Sequence, residues 1–188
     1  DGDRSGFLAG EIGCGLGTIS GILIDCRPDD LFCASDIDTD MLKLANIIHP
    51  CLDAFAHDAR KPLKKVMAGI DIVYSHGLLE HFSNEDIRKI ISINNNSHQV
   101  HYVPGLYETP SFGDERLMCV DEWRGICAPD EVHPFNEGLD YTLIFHPKKV
   151  PFYFLLISPS IFYDRCAFVL QQHCKLLFFL YVDGLILI

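Results

Sequence analysis

Phe7-Leu8-Ala9-Gly10-Glu11-Ile12-Gly13-Cys14-Gly15-Leu16-Gly17-Thr18 is the stretch from which the rest of the chain is read. A short apolar run enters three glycines at alternate positions, and an amphipathic run, Thr18 to Leu23, leaves them. The pattern predicts a strand, a tight turn and the start of a helix. Glycine suits such a turn because it tolerates positive φ and, lacking Cβ, lets a ligand approach the backbone closely. The following helix aims its free N–H groups and positive dipole end into the same space. The expected result is a cradle for a polar or anionic ligand at the carboxyl end of a first strand.

Spacing narrows the ligand. A dinucleotide fingerprint reads G-x-G-x-x-G, whereas here the pattern is E-x-G-x-G-x-G and position 18 is Thr. No Gly-Lys-Ser/Thr follows, which excludes a phosphate-binding P-loop. Glu11 beside the turn suits a ligand carrying an ammonium or sulfonium charge better than a pyrophosphate.

Working outward, Ile19, Ile22 and Leu23 mark a first helix over 18–25, broken by Arg27-Pro28-Asp29-Asp30. Leu31 to Ser35 reads as a buried second strand ending at Asp36. The interval from Gly17 to Asp36 matches the roughly 20 residues between a glycine loop and a ribose-binding acid in a nucleotide-binding βαβ unit. Asp38 is the second candidate there, and its preferred reading is a helix N-cap. A second helix spans Asp40 to Ile48 and stops before Pro50. A third strand, Leu52 to Ala56, leads to His57-Asp58-Ala59, where Asp58 either accepts from the exocyclic amine of a base or caps a short turn.

Asp71 to Phe82 is the second informative stretch. Ile72 to Tyr74 form a short central strand, opened by Ser75-His76-Gly77. Ser83 to Asp86 reads as a capping box and Phe82 to Ile87 as a hydrophobic staple, so a third helix runs to about Ile93. Gln99 to Gly105 is a fifth strand, and residues 106–118 form a loop at the same edge, leading into a helix from Asp121 to Cys127. Loops after parallel strands line ligand clefts, so this loop is the place to seek an acceptor substrate. Asp114-Glu115-Arg116 within it also reads as a solvated, salt-bridged turn of little energetic weight. Val132 to Phe135 and Leu139 to Phe145 read as an antiparallel hairpin.

The glycine loop, the acid after strand two and the Asp71 to Phe82 stretch together resemble the class I S-adenosylmethionine-dependent methyltransferases over about residues 7–147. The resemblance implies an α/β fold: a doubly wound, mostly parallel sheet with helices on both faces and a C-terminal antiparallel hairpin. It implies S-adenosyl-L-methionine as cofactor. Glu11, Gly13, Cys14, Gly15 and Gly17 would then meet the methionine end, Asp36 the ribose, Asp58 and Ala59 the adenine, and Ser75 and His76 the sulfonium, with Ile37 a further cofactor-binding residue. The reaction implied is in-line methyl transfer to a small molecule. If the acceptor must lose a proton, His76, His81 and Tyr107 are the candidates, although the preferred reading of His81 is that it only orients its loop or packs. No Asn/Asp-Pro-Pro-Tyr run occurs, which disfavours methylation of DNA bases.

Composition sets the outer limits. The chain has 188 residues, 48% hydrophobic and 22% charged, with a net charge of −11, enough for one domain with a real core. No Lys/Arg stripe offers phosphate neutralisation, so nucleic acid is not an expected partner. The eight cysteines include no C-x-x-C and no zinc-finger spacing, and no signal peptide opens the chain; reduced thiols in a cytoplasmic protein without a metal are expected. The chain opens on Asp just ahead of the glycine loop, and the expectation is that its true amino terminus lies upstream. The methyltransferase domain is placed at residues 1–147. The apolar tail at 148–188 has runs too short to span a bilayer, and reads as an amphipathic cover for the sheet, a membrane-surface or oligomer contact, or a divergent terminus. Two other functions stay open: a non-catalytic or truncated cofactor-binding module of the same fold, and an NAD-dependent oxidoreductase, for which the third glycine and an acid/base pair are missing.

Overall fold

The computed structural model describes residues 6–61, 69–108 and 113–148. The described elements lie within one compact unit, Asp1–Lys149. From residue 149 onward the expected apolar tail lies outside the described residues, as does its amphipathic helix.

In chain order the elements are β1 (Leu8–Ile12), α1 (Thr18–Cys26), β2 (Leu31–Asp36), α2 (Thr39–Ile48), β3 (Asp53–Ala56), β4 (Ile72–His76), α3 (Asn84–Ile93), β5 (His98–Pro104), α4 (Val120–Cys127), β6 (Glu131–Phe135) and β7 (Asp140–Phe145). Short 3-10 turns occupy Leu79–His81 and Asn136–Gly138. The boundaries differ from the expected ones by a residue or two, which is how far helix and strand ends fray.

The seven strands form one sheet in the order β3-β2-β1-β4-β5-β7-β6. β1 to β5 are mutually parallel, and β7 runs antiparallel to both β5 and β6. The chain therefore builds outward from β1 to β3, returns to the other side of β1 for β4, and continues to β5. The crevice at the carboxyl ends of β1 and β4 is the switch point at which open α/β sheets take their ligands.

Both faces of the sheet are covered. Successive residues of a strand point to opposite faces. In β2, Cys33 joins a core containing Ile87 and Ile90 of α3 and Trp123 and Ile126 of α4, whereas Ala34 joins Cys14, Leu42 of α2 and Leu52. α1 and α2 thus lie on one face and α3 and α4 on the other. Trp123 is fully buried, and its indole N–H donates to Pro104 O at 3.3 Å, which satisfies the polar atom of that large ring.

Local signals explain the helix starts. Asp38 is the N-cap of α2: its carboxylate accepts from Asp40 N at 2.9 Å and Met41 N at 3.1 Å. Ser83 caps α3 by accepting from Asp86 N at 3.2 Å, and its hydroxyl donates to the Asp86 carboxylate at 3.1 Å. Among the described residues no helix is long and apolar enough to cross a membrane.

Candidate functional site

The turn after β1 is held by three left-handed glycines. Gly13, Gly15 and Gly17 have φ of 71°, 52° and 71°. Two of them are also required by packing. A Cβ on Gly13 would stand 2.5 Å from Leu78 Cδ1, and one on Gly17 2.7 Å from Leu52 Cδ2. Gly15 differs: a Cβ there would meet nothing within 4 Å, so its α-carbon faces open space. The turn is pinned to β2, since the N–H groups of Gly13 and Cys14 both donate to Ser35 O, at 2.7 and 3.0 Å. α1 then begins at Gly17 without a side-chain cap. The thiol of Cys14 packs into the core beside Ala34, and burial pushes it up to about 12, so only the backbone of this residue is left to meet a ligand.

Glu11 lies beneath the loop and is buried. Its carboxylate accepts from Ser20 N at 3.2 Å and from the Ser20 hydroxyl, which also bonds the Tyr74 hydroxyl at 2.7 Å. Ser20 is the third residue of α1. The acid of the E-x-G-x-G-x-G pattern thus caps, from the preceding strand, a helix whose glycine N-cap has no side chain to do so. Burial raises its pKa to about 8. Oε2 of Glu11, expected to face a cationic ligand, is thus committed to Ser20.

Asp36 closes β2 beside the loop. Its Oδ2 accepts from Gly15 N at 2.8 Å and its Oδ1 from Asp38 N at 2.9 Å. A carboxylate has about four lone-pair sites, so two remain for a ligand. Ile37 stands next to it with 67% of its surface exposed, an apolar side chain at the crevice rim. The end of β3 is tied to the same place by His57 N, which donates to Asp36 O at 2.8 Å. Asp58 follows, and there the structure favours the turn reading. Arg60 holds it through Nε–Oδ1 at 2.9 Å and Nη2–Oδ2 at 3.0 Å, and the Arg60 N–H adds 3.0 Å to Oδ1. These bonds lower the Asp58 pKa to about 2. Ala59, half-buried, packs against the α3–α4 core.

At the carboxyl end of β4 the expected residues separate. Ser75 is fully buried, and its hydroxyl bonds His101 Nδ1 at 2.8 Å on the adjacent strand. His101 continues to Gln99 Oε1 at 3.3 Å, and Gln99 Nε2 donates to Ile91 O at 3.0 Å. Burial drives His101 down to about 3, so it is neutral. The Ser75 side chain serves this internal chain and not the crevice, contrary to expectation; period-two alternation turns it into the sheet face. His76 ends the strand with its ring centroid 6.0 Å from that of Tyr102, and burial depresses its pKa. His81 pairs with Asp114 at 2.9 Å, the loop-orienting arrangement.

The loop expected at 106–118 is described on either side of residues 109–112, which lie outside the described residues, and both described parts are anchored. Tyr107 donates its hydroxyl to Asp140 Oδ1 at the start of β7, and Asn136 Nδ2 donates to Asp140 Oδ2 at 2.8 Å. Burial and the Asp140 carboxylate hold the Tyr107 hydroxyl well above its usual range, which does not suit a base. Arg116 is no loosely solvated charge. Its backbone N–H reaches Glu80 O at 3.3 Å, Nε the same oxygen at 3.4 Å, Nη1 Asn84 Oδ1 at 2.7 Å, and Nη2 the Phe82 carbonyl. Residues 113–118 are thereby fastened across the segment after β4.

Glu80 carries no distinguishing signal in the sequence. It is 1% exposed, and its Oε2 is a buried side-chain oxygen without a hydrogen-bond partner among the described residues. Among these residues no group of three His, Cys, Asp or Glu could hold a metal ion.

No family model and no curated protein matches the sequence. Solved structures do match. The mitomycin 7-O-methyltransferase MmcR is similar at 12% identity with a TM-score of 0.60, covering 73% of this chain and 48% of that one. Human N-acetylserotonin methyltransferase, solved with S-adenosylmethionine, gives 12%, 0.59, 74% and 47%. A TehB-like S-adenosylmethionine-dependent methyltransferase from Corynebacterium glutamicum gives 15%, 0.55, 76% and 80%. The chain thus spans under half the length of the first two and most of the third. It has the fold of the class I S-adenosylmethionine-dependent methyltransferases.

Proposed function

We propose that the chain binds S-adenosyl-L-methionine at the carboxyl ends of β1 and β2 and directs its methyl group to a small-molecule acceptor. The observation that carries this reading is the pair Gly15–Asp36. An α-carbon facing open space stands beside a carboxylate that keeps acceptor sites after its backbone bonds are counted. In this reading Asp36 holds the ribose hydroxyls, Ile37 lies against the base, and the Gly13–Gly17 backbone lies along the methionine. When bound, the sulfonium supplies an electrophilic methyl group and a neutral thioether leaving group. The protein's task is then to position the acceptor and exclude water. The three enzymes compared, all named as methyltransferases, support the assignment.

The pinned Asp58 carboxylate takes a smaller part here than the sequence implied. Its bonds to Arg60 leave the adenine to Ile37 and the backbone near Ala59. His76, neutral at the end of β4, stays a candidate for the acceptor side. Scanning fluorimetry tests the proposal: S-adenosylhomocysteine should raise the melting temperature and NAD should not. A shift with NAD alone would return the chain to the oxidoreductase reading. A cofactor site without turnover is the second reading, favoured by the commitment of two candidate bases, His81 to Asp114 and Tyr107 to Asp140. Methyl transfer to any acceptor would remove it.

A further inference from the structure

A second cluster of polar side chains lies at the edge of the sheet opposite the crevice. β5 and β7 pair antiparallel, and their ladder ends at Gln99↔Phe145. One step beyond it His98 and His146 stand opposite each other, and period-two alternation puts both rings on one face. His98 opens β5, so at about 3.3 Å per residue it lies about 20 Å from the carboxyl end of that strand. Both backbones are fixed. His98 N donates to Asp71 O at 3.0 Å, and His146 N to Asp130 Oδ2 at 2.7 Å. The cluster is open to solvent: the His146 side chain is 38% exposed and that of Glu131 44%.

The two rings meet through Nδ1. These atoms are 3.4 Å apart, with the ring planes at 82°. The other nitrogen of His146 is already held. Nε2 lies 3.0 Å from Glu131 Oε1, and Glu131 Oε2 lies 2.8 Å from His133 Nε2. An ionised carboxylate only accepts, so His146 Nε2 carries the proton, and in the neutral ring Nδ1 presents its lone pair to His98. The separation of 3.4 Å is long for a hydrogen bond, in which N–H donors sit at about 2.7–3.2 Å from the acceptor. It matches the bite of one tetrahedral ion. Two Zn–N bonds of about 2.0–2.1 Å, opened to the tetrahedral angle, set the nitrogens about 3.3–3.4 Å apart. Adjacent square-planar or octahedral positions at that bond length would draw them in to about 2.8–3.0 Å.

We propose that Nδ1 of His98 and Nδ1 of His146 chelate one zinc-class divalent ion, which clamps β7 to β5 at this edge, with Glu131 orienting His146 from behind. Water takes the other positions, because no group of three His, Cys, Asp or Glu converges among the described residues. A carboxylate on the outer nitrogen of a ligating histidine fixes its tautomer and raises its basicity, and Glu131 is so placed. Mg2+ and Ca2+ do not suit the pair, since they take oxygen ligands. His133 sits on the far oxygen of Glu131 and is not a ligand. For the ion to bind, His98 passes its Nδ1 proton to Nε2 through solvent, so both rings stay neutral and no proton is released. The expectation of a chain without a metal came from cysteine spacing, which is blind to two histidines 48 residues apart. The site stands apart from the methyl-transfer reading and does not depend on it.

The test uses the full chain, freed of metal with a chelator and kept reduced. ZnCl2 is titrated by calorimetry. Histidine ring nitrogens are followed by 15N NMR, with the His98 and His146 signals assigned by their loss in His98→Gln and His146→Gln. We expect a zinc site whose filling shifts Nδ1 of both rings and leaves both in the Nε2–H tautomer. Its affinity should fall about tenfold or more in either histidine variant and about tenfold to hundredfold in Glu131→Gln, the range for losing an outer partner of a ligand. His133→Gln should change it by less than about threefold, and MgCl2 should move neither ring. Glu131→Gln, at an exposed carboxylate, keeps the test intact should a histidine variant fail to fold. Zinc that leaves both rings unmoved, as binding to the thiols would, overturns the proposal. So does a His98 ring that keeps its Nδ1 proton at saturation, an affinity unchanged in Glu131→Gln, a larger loss in His133→Gln than in Glu131→Gln, or an equal response to MgCl2.

Discussion

The backbone N–H of Gly15 donates to Oδ2 of Asp36 at 2.8 Å across 21 residues of sequence. This bond joins the turn after β1 to the end of β2 and sets the Asp36 carboxylate beside the open face of Gly15. A glycine loop and an acid about a helix away are thereby made into one surface.

The three loop glycines should respond differently to substitution. Gly13→Ala drives a methyl into Leu78 and holds Ala at positive φ, and should lose about 2–4 kcal/mol of stability. Gly15→Ala meets no neighbour and should lose only about 1–2 kcal/mol from its φ, while S-adenosylhomocysteine binding falls much further. Urea denaturation and calorimetry separate the two. Equal stability losses, or a Gly15→Ala that binds normally, would contradict the open-face assignment.

Stability should fall as pH rises above about 6.5. Glu11 and Glu80, raised to about 8 and about 7, keep protons when folded that the unfolded chain releases near 4.5. Their contribution is present at low pH and is lost as pH rises through those values. His101, lowered to about 3, and His76 and His98, lowered by burial, act oppositely. The unfolded chain protonates them below about 6.5 and the folded chain resists, so stability falls as pH drops. Each group contributes a slope of up to about 1.4 kcal/mol per pH unit. Chemical denaturation from pH 6.5 to 8.5, where the histidines no longer oppose the two glutamates, should show stability falling with pH, the fall being shallower in Glu11→Gln. A flat profile, or a maximum above pH 8, would mean these groups are solvated.

Removing the guanidinium in Arg116→Ala should free residues 113–118 from the segment after β4. Amide exchange should rise at residues 79–84 and 113–118, with S-adenosylhomocysteine affinity unchanged within about threefold. Unaltered exchange at 79–84 would show that the loop is held by other contacts.

Ser83→Ala removes the N-cap of α3 and should cost about 1 kcal/mol, since one first-turn N–H loses its partner. Thermal melting of the variant against wild type measures it.

Much of the fold was legible because its signals are local. Alternate glycines, the Asp38 and Ser83 caps, Pro50 and the apolar runs each act on their own neighbours, and the sheet order follows from βαβ handedness and a terminal hairpin. Asp36 could be read for the same reason, since it ends an apolar strand at a fixed distance from the loop. The roles of Glu11, Ser75 and Asp58 were not legible. They depend on which partner tertiary structure delivers: Ser20 and Tyr74 to Glu11, His101 to Ser75, Arg60 in a local turn to Asp58. Glu80 left no signal either. An acid on a short turn beside a histidine looks solvated until burial is known. Arg116 likewise resembled a surface charge until Glu80, Phe82 and Asn84 were placed around it.

Calorimetric titration of the purified chain with S-adenosylhomocysteine, repeated on Asp36→Ala, tests the central claim most directly. The account predicts micromolar binding by wild type, weakened about tenfold to hundredfold in the variant, as expected for losing hydrogen bonds to a charged group worth about 1.5–3 kcal/mol each. Absence of binding by folded wild-type protein, or equal binding by Asp36→Ala, would contradict it.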